Sequence, residues 1–441
     1  MRLPLARMIV NPMEDYTMPT QEPTNDAPIV AHIGLDWSKD HHDLCLLAAD
    51  CCQRESLILE HRPEALQGWV QQLRARFPVG RVAIALEQSR GALFHCLMDY
   101  DFLVLYPVPP LSLASYRKTF HPSGAKSDPG DAELLLDLLL KHSDSLRPWL
   151  PEDPATRSLR LLVQHRRQLI GLRTRMTNQI TELLKGYFPQ ALEWAGDLTT
   201  IQACEFLHRW PTLAKVKKAG PQSLRKFYQR HRCRHPELVE QRIQRVAQAL
   251  PLTQDPAILL TSPLLVKSLA SSLHALIPQI TIVEHEIEKL FAAHPDHDLF
   301  SAVPGAGAVL APRLLVAFGA DRSRFESAQQ VQEFSGIAPV LERSGQSLWV
   351  HQRFACSQFI KQTFHEFAAS SIHFCGWARD FYDQQRAKGK KHHTAVRALA
   401  FKWIRILFRC WQNRTPYQET IYIQSLHQHN SPLIVTLCPS K

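Results

Sequence analysis

The sequence predicts an α/β layer followed by two mainly helical segments, and three observations lead to this fold class. Between residues 29 and 150, short apolar runs of strand length alternate with stretches of helical spacing. Two long amphipathic stretches follow, over residues 154–188 and from Leu264 to about Ala293. Residues 296–414 also have the spacing of apolar residues that is typical of helices, interrupted by a glycine-rich turn and one loop.

These patterns divide the 441 residues into five segments. The segments are a disordered tail (1–28), an α/β domain (29–150), a helical connector (151–295), a mainly α C-terminal domain (296–414) and a second tail (415–441).

The composition indicates the kind of molecule that the protein binds and the compartment in which it works. The net charge of +10 and the pI of about 9.1 favour a polyanionic partner. The ten cysteines form no Cys-x-x-Cys pair, so the usual zinc spacing is absent and reduced thiols are expected. No apolar run approaches the length of a membrane span, and Arg7 interrupts the apolar start of the chain. We therefore expect a cytoplasmic protein with no membrane partner.

Two acids end strand-like runs of the α/β domain. The run from Ile29 ends at Asp36, and residues 40–43 turn the chain into a second run, Leu44 to Ala49, which predicts a hairpin. A helix over residues 63–77 precedes the run Val82 to Glu87. A further helix, a strand over residues 103–108 and another helix complete the expected order. Open α/β sheets bind their ligands at such strand ends.

Two more acids begin the last of these helices. Pro129 and Gly130 set a turn, and Asp128 and Asp131 lie three residues apart in the first helical turn, so both carboxylates can point to one place. Helix capping alone also accounts for such a pair. Four clustered carboxylates need cations, and Mg²⁺ or Mn²⁺ prefers such ligands; four unrelated surface acids remain the alternative.

The helical segments carry basic residues. The stretch 154–188 is rich in arginine, and it is expected to pair with the second long stretch as an antiparallel hairpin, within or between chains. Gly305 and Gly307 precede an alanine-rich helix in a pattern that resembles a helix-hairpin-helix turn, although a plain interhelical turn fits equally. Lys390 and Lys391 belong to a basic run, which is usually solvated.

Five stretches resemble one family. IGLDWSKDHHDLCL, VAIALEQSRG and GAKSDPGDAELLLDLL resemble the three acidic blocks of the DEDD-type insertion-sequence transposases. These are serine recombinases with a RuvC-like N-terminal domain that are guided by a bridge RNA. SAVPGAGAVLAPRLLVAFG and FESAQQVQEFSGIAPVLERSGQS resemble the C-terminal transposase domain of the same family. The resemblance extends over residues 29 to 410.

The resemblance implies an RNase H-like (RuvC-like) fold for the α/β domain, a coiled-coil connector and a helical domain that supplies a nucleophilic serine. It implies that Mg²⁺ or Mn²⁺ is held by four catalytic acids, which are Asp36, Glu87, Asp128 and Asp131. It places the nucleophile at Ser344, with Ser335 and Ser347 as rivals. DNA, a guide RNA and further copies of the chain (a dimer or tetramer) are the implied partners, with nucleoid association when DNA is bound.

Seven residues are candidates for nucleic-acid contacts: Lys126, Gly305, Gly307, Arg343, Arg353, Lys390 and Lys391. One departure from the family concerns this region. The segment after Ser344 and Gly345 contains Arg353 and Lys361 but no glycine before the next helix. The departure from the family pattern therefore concerns the serine loop and its DNA contacts, and it leaves the four carboxylates in place.

Three other functions use some of the same residues. A RuvC-like nuclease or Holliday-junction resolvase would use the acids with activated water and would need no Ser344. An actin-like sugar kinase or ATPase also opens with an Asp-bearing hairpin, but residues 86–91 form a poor second phosphate loop. A non-enzymatic DNA- or RNA-binding protein would use the basic helices alone.

Overall fold

The structure is a computed structural model that describes residues 27–87, 91–120, 127–149, 152–233 and 235–429. The chain forms two compact units, residues 1–151 and 152–441. The predicted N-terminal tail, apart from its last two residues, and Lys126 lie outside the described residues. The nine described cysteines are all unpaired.

The first unit contains a five-stranded mixed sheet and four helices among its described residues. Its elements in chain order are β1 (Ile29–Trp37), β2 (His41–Ala48), β3 (Glu55–Glu60), α1 (Pro63–Arg76), β4 (Arg81–Leu86), α2 (Ala92–Leu97), β5 (Leu103–Pro107), α3 (Pro110–Phe120) and α4 (Asp128–Lys141).

The strand order is β3-β2-β1-β4-β5. β1 pairs antiparallel with β2 and parallel with β4, and β4 pairs parallel with β5. The predicted hairpin and the two buried strands after it are confirmed. β3 and α3 were not predicted, because β3 is almost fully exposed and lacks a buried face, and α3 is buried only at Leu113.

Helix α4 packs directly on β1. A Cβ atom at Gly34 would lie 2.0 Å from the carbonyl oxygen of Ala132 and 2.4 Å from the amide nitrogen of Leu136. Only glycine permits this approach, because every other side chain would push the helix away from the sheet. Gly34 therefore fixes the height of α4 above the sheet at the middle of β1.

The second unit is mostly helical, as predicted. Its elements are α5 (Pro154–Tyr187), α6 (Ala191–Trp194), α7 (Ile201–Arg209), α8 (Leu213–Arg230), α9 (Pro236–Gln248), α10 (Pro256–Ala292), α11 (His297–Ser301), α12 (Gly307–Phe318), α13 (Ala328–Phe334), β6 (Val340–Ser344), β7 (Ser347–His351), α14 (Gln358–Phe374), α15 (Gly376–Ala387), α16 (His392–Asn413) and α17 (Glu419–Gln428).

The two long helices α5 and α10 form an antiparallel pair within the chain. Thr156 Oγ1 lies 2.9 Å from His294 Nε2 at one level of the pair, and Arg166 donates to Glu284 at 2.6 Å further along. The intrachain form of the predicted hairpin is therefore the one observed. Part of the arginine face of α5 is used in this pairing.

Helix α10 contradicts the prediction that no apolar run approaches the length of a membrane span. It is long and apolar enough to cross a membrane by length and composition, and 22% of its most apolar window is buried. One such helix is weak evidence for a span, since a core helix of a bundle passes the same test. Here α10 packs along α5 and contributes Val266, Ala270 and Leu273 to a buried cluster.

The C-terminal part of the second unit is built on α12, α14 and α16. Trp377, Trp403 and Trp411 are fully buried, and the Nε1 atoms of Trp403 and Trp411 donate to Ser371 Oγ and to the carbonyl oxygen of Gly319. Two predictions are corrected here. The serine segment forms a hairpin, β6–β7, and the predicted tail contains α17, because Tyr417 and Tyr422 pack against the tryptophans.

Candidate active site

Two carboxylates share one face of the sheet at the end of β1, and a third follows the end of the neighbouring strand β4. Gly34 faces α4, and side chains two residues apart point to the same face, so Asp36 also faces α4. Asp43 pairs with Asp36 across β1 and β2, and directly paired residues share a face. Ala85 pairs with Gly34, and Glu87, two residues later, lies just beyond the end of β4. Asp36 and Asp43 are buried.

The first turn of α4 lies at the same edge. Ala132 packs at the level of Gly34, whereas Asp137 is bonded at 2.5 Å to Arg54, which precedes β3. Arg54 directly precedes the first residue of β3, which pairs with Leu46 of β2. Leu46 in turn pairs with Ile33 of β1, so Asp137 lies nearer the start of β1 than Ala132 does. Helix α4 therefore runs antiparallel to β1, and its first residues lie over the carboxyl end of the strand.

All four predicted acids are thus placed at one edge of the first unit. Asp128 is the first residue of α4 and is partly buried, and Asp131 is only 1% exposed. The sheet supplies Asp36 and Glu87. This edge also carries the positive end of the α4 dipole, which favours negative charge.

Asp131 already has a strong cationic partner. Arg117 on α3 donates to both carboxylate oxygens, Nε to Oδ1 and Nη2 to Oδ2, each at 2.6 Å. Among the described residues, no three His, Cys, Asp or Glu side chains converge closely enough to hold a metal ion. The donors have the chemistry that Mg²⁺ or Mn²⁺ prefers, but in this arrangement Arg117 neutralises part of their charge.

Two residues of this edge, Asp43 and Arg117, were not predicted from the sequence. Asp43 was assigned to the turn of the hairpin, although its position seven residues after Asp36 places it opposite that residue once the hairpin closes. Arg117 lies in α3, a helix that was not predicted, so no sequence signal pointed to its contact with Asp131.

Ser344 lies at the tip of the exposed hairpin β6–β7 in the second unit. It pairs with Ser347, and Gly345 and Gln346 form the two-residue turn between them. Gly345 has φ +60°, whereas Gln346 is not among the residues with positive φ. This combination is typical of a type II′ turn, which favours glycine at its first central position. All ten strand residues are exposed, so the Ser344 hydroxyl is accessible.

The two rival serines differ from each other. Ser335 is fully buried, and its hydroxyl donates to the carbonyl oxygen of Gln332 at 3.1 Å. Ser347 is exposed on the other side of the turn. Arg343 is exposed next to Ser344, and Arg353 follows β7 with its Nε atom buried and without a hydrogen-bond partner.

The other nucleic-acid candidates are distributed over the second unit. Gly305 packs against α14, where a Cβ atom would lie 3.1 Å from the Cα atom of Ser371, whereas Gly307 is exposed with open space around it. Lys390 and Lys391 are exposed before α16, and Lys391 is its N-cap residue. The glycine turn, the basic run and the serine hairpin are separate features of this unit.

Comparison with known proteins identifies the family. Residues 33–189 match the transposase model of the DEDD type named for IS110, and residues 297–383 match the model of the IS116/IS110/IS902 transposase family. The first match contains the edge with the four acids, and the second contains the serine hairpin.

Relatives match along nearly the whole chain. The IS117 mini-circle protein of Streptomyces coelicolor is 27% identical over 88% of this chain and 95% of its own length. The 43.6 kDa protein of insertion element IS110 from the same organism is 29% identical with the same coverage. A pilin gene-inverting protein of Moraxella bovis is 26% identical over 32% of this chain and 46% of its own. With both family models matched in order, the chain belongs to the DEDD-type insertion-sequence transposases.

Proposed function

We propose that this transposase cuts and rejoins DNA through a covalent bond to Ser344, with the carboxylates of the first unit as its acidic site. The observation that carries this proposal is the position of Ser344 at the exposed tip of a hairpin, beside Arg343. A nucleophile must reach a phosphate that is part of a bulky duplex, and a projecting tip allows that approach. Buried Ser335 has no such access.

The covalent step conserves the phosphate bond. The Ser344 oxygen forms a bond to phosphorus while one phosphorus–oxygen bond of the DNA strand breaks. The serine loses its hydroxyl proton, and the departing DNA oxygen takes up a proton to become a hydroxyl group. Attack by the hydroxyl end of another strand reverses these events and frees the serine, so rejoining needs no nucleotide cofactor. Arg343 is suited to bind the phosphate during both steps.

The acidic edge of the first unit supplies the metal-binding residues in this proposal. We assign the metal-binding role to Asp36, Glu87, Asp128 and Asp131, which belong to an RNase H-like domain in this proposal. A divalent cation bound there would stabilise negative charge on the phosphate oxygens. The backbone of the first unit positions these four side chains. Asp36 lies in β1 and Glu87 directly follows β4. The close contact at Gly34 positions α4, which carries Asp128 and Asp131.

We also propose that the working form is a homo-oligomer, because strand exchange joins several DNA ends. Leu260 and Leu264 lie one turn apart on α10 and are 68% and 62% exposed. Leu250 and Leu252, just before α10, are also exposed. An apolar stripe of this kind is typical of a surface that a second subunit covers.

RNA guidance is the remaining part of the proposal. The net charge of +10 provides the general attraction to nucleic acid, and the exposed Lys390 and Lys391 place basic groups at the N-terminus of α16. RNA that copurifies with the protein, survives high-salt washing and restores cleavage of DNA by nuclease-treated protein would support this part.

The test of the serine mechanism is an adduct that resists denaturation. Purified protein, copurified RNA and Mg²⁺ are incubated with labelled DNA that carries the ends of the element. We expect a protein–DNA band with wild type and Ser347→Ala, and none with Ser344→Ala or Asp36→Asn. Ser344→Ala is an exposed, conservative change, so loss of the adduct cannot be attributed to unfolding.

One alternative shares the acids. A RuvC-like nuclease would cut DNA with activated water and leave no adduct. Cleavage that is unchanged in Ser344→Ala but lost in Asp36→Asn would establish this alternative and overturn the serine mechanism.

A further inference from the structure

The hairpin β6–β7 has two faces of different composition. Directly paired residues of a hairpin share a face, and successive residues of a strand alternate between the faces. One face, which we call the Ser344 face, therefore carries the pairs Ser344–Ser347, Glu342–Trp349 and Val340–His351. The opposite face carries Leu341, Arg343, Leu348 and Val350. The proposed nucleophile thus shares its face with a tryptophan.

Trp349 is unusually exposed for its residue type. Its exposed fraction is 62%, the largest among the nine tryptophans of the chain, and the next largest is 39%, at Trp37. Tryptophan has the largest side-chain surface and gains most free energy when that surface is covered. The exposed indole therefore favours a partner that covers it when the protein works.

The register of the hairpin places Trp349 close to Ser344. Trp349 follows Ser347 by two residues, and Ser347 pairs with Ser344, so Ser344 and Trp349 are diagonal neighbours on one face. Diagonal neighbours lie roughly 7–8 Å apart, within reach of an aromatic side chain. A nucleotide holds its base at a comparable distance from its phosphate. When Ser344 contacts a phosphate, Trp349 therefore lies beside an adjacent base.

The charge of the Ser344 face favours a base over a phosphate at Trp349. Glu342 pairs directly with Trp349, and its Oε2 atom lies 3.0 Å from His351 Nε2. A carboxylate at this position repels a second phosphate, whereas a base carries no charge. The rings of Trp349 and His351 have centroids 6.3 Å apart, so they form neighbouring aromatic surfaces. Aromatic side chains of this kind stack on any of the four bases.

A base inside a duplex has both of its faces covered by its neighbours, so Trp349 needs a base that has left the stack. Strand exchange separates the two DNA strands and so supplies such a base. We propose that Trp349 stacks on an unpaired DNA base next to the phosphate that Ser344 attacks, and that this contact holds the strand in place for the serine. This inference rests on the proposed function and adds a substrate-positioning residue to it.

The first test measures binding and needs no serine chemistry. The probes are an eight-nucleotide oligothymidylate and an abasic oligomer with the same sugar–phosphate backbone, each labelled with fluorescein. They carry equal charge and differ only in their bases. We expect Trp349→Ala in the full-length protein to weaken binding of the thymidylate by about tenfold and to leave binding of the abasic oligomer unchanged. The salt dependence should not change, since stacking releases no counterions.

The matched control is Leu348→Ala, because Leu348 is the neighbouring residue, is 55% exposed and lies on the opposite face. It should bind both probes as wild type does. Trp349→Phe keeps an aromatic ring and should recover most of the lost affinity. All ten strand residues are exposed, so none of these changes removes a buried side chain.

The second test measures the rate of adduct formation with DNA that carries the ends of the element. Trp349→Ala should slow the reaction of intact DNA by about tenfold. Two further substrates each lack one base, on either side of the attacked phosphate. With one of them, wild type should be slowed to the rate of Trp349→Ala, because the partner of the indole is missing. A merely structural role of Trp349 predicts instead the same ratio of rates on all three substrates.

Equal affinity of wild type and Trp349→Ala for the thymidylate would overturn the stacking role. An equal loss for both probes would also overturn it, since the indole would then act on the backbone or on the hairpin itself. A reduced mass of Trp349→Ala with unchanged binding would assign the indole to a protein interface instead. An adduct in wild type with normal thymidylate binding in Trp349→Ala refutes stacking alone. Cleavage without an adduct in wild type, together with weakened thymidylate binding in Trp349→Ala, refutes the serine mechanism and retains the base-stacking site.

Discussion

Arg117 donates two hydrogen bonds of 2.6 Å to the carboxylate of Asp131, at the sheet edge where Asp36 ends β1. The side chain of Asp131 is 1% exposed and that of Arg117 is 15% exposed, so the pair is largely shielded from water. A buried carboxylate needs a partner of opposite charge. A metal ion that binds Asp131 must therefore compete with Arg117 for the same oxygens.

The first prediction follows from this competition. Arg117→Gln should lower the free energy of unfolding by about 3 kcal/mol in metal-free buffer, because it removes the guanidinium charge and the two hydrogen bonds that Arg117 gives to the buried carboxylate of Asp131. Titration with Mg²⁺ or Mn²⁺ should raise the melting temperature of Arg117→Gln more than that of wild type. Thermal unfolding at increasing metal concentration measures both effects.

Arg54→Gln is the matched control for Arg117→Gln. It removes the partner of Asp137, but the side chain of Arg54 is 41% exposed, and Asp137 keeps Lys141 at 2.8 Å. Its metal-dependent shift should equal that of wild type. An equal shift in Arg117→Gln would show that Arg117 and the cation do not share Asp131.

The second prediction concerns the contact between α4 and β1. Gly34→Ala places a Cβ atom 2.0 Å from the carbonyl oxygen of Ala132, and backbone cannot move aside as a flexible side chain can. We expect a loss of about 3 kcal/mol in unfolding free energy. We also expect loss of the DNA adduct under conditions where the variant is still folded, because the first turn of α4 shifts with the helix.

Gly68→Ala tests whether these effects are specific. Gly68 lies inside α1 in the same unit, and nothing is within 4 Å of its Cβ position. The change should raise stability by about 0.5 kcal/mol, since alanine is the better helix residue. Urea unfolding of both variants gives the comparison, and a Gly34→Ala protein as stable as wild type would contradict the tight packing of α4.

Much of the first unit was predictable because its central strands β1, β2 and β4 are largely buried. The runs that end at Asp36 and Glu87 read as continuous apolar segments, which is how buried parallel strands appear in a sequence. The pairing of Asp43 with Asp36 was not predictable, because it depends on hairpin register, and a shift of one residue would turn Asp43 to the other face.

The hairpin that carries Ser344 was not predictable from the spacing of apolar residues. Its strands are fully exposed and carry Leu341, Trp349 and Val350 without a buried face, so the alternation of apolar and polar residues that marks a strand is missing. The remaining signal is Gly345 between two short runs, which is compatible with a loop as well as a turn. The Arg117–Asp131 pair depends on tertiary packing of α3, which no local pattern records.

The third prediction concerns the stability of the first unit in acid. His42 is fully buried; the Ser38 amide donates to its Nδ1 atom at 3.4 Å, and its Nε2 atom lies 3.0 Å from Nδ1 of His61. Burial, followed by the neighbouring His61 and His41, lowers the pKa of His42 from 6.5 to about 4. The unfolded chain therefore binds this proton first as the pH falls.

Stability from His42 is complete above pH 6.5 and is lost as the pH falls towards 4, by about 3 kcal/mol over that window. Urea unfolding between pH 7.5 and 4.5 should show this loss in wild type and a smaller one in His42→Gln. His41→Gln, a change at an exposed position of the same strand, should show a loss only slightly smaller than that of wild type, because His41 is the last of the three causes that lower the pKa of His42. Parallel pH profiles of wild type and His42→Gln would refute the assignment.

The fourth prediction concerns the apolar stripe on α10. Leu260 and Leu264 lie on one side of the helix, four residues apart, and both are mostly exposed. If a second subunit covers them, the double variant Leu260→Lys and Leu264→Lys places two buried charges in the interface and should convert the oligomer to monomer. Light scattering of the eluting protein measures the mass, and circular dichroism checks that the helices remain.

Leu161→Lys is the control for the double variant, because Leu161 on α5 is 59% exposed and lies outside the stripe. It should leave the mass unchanged. A monomeric double variant that no longer forms the DNA adduct would show that the serine chemistry requires the assembly. A double variant with the wild-type mass would show instead that subunits associate through another surface, since two lysines in a covered apolar stripe cannot be accommodated without a large loss of affinity.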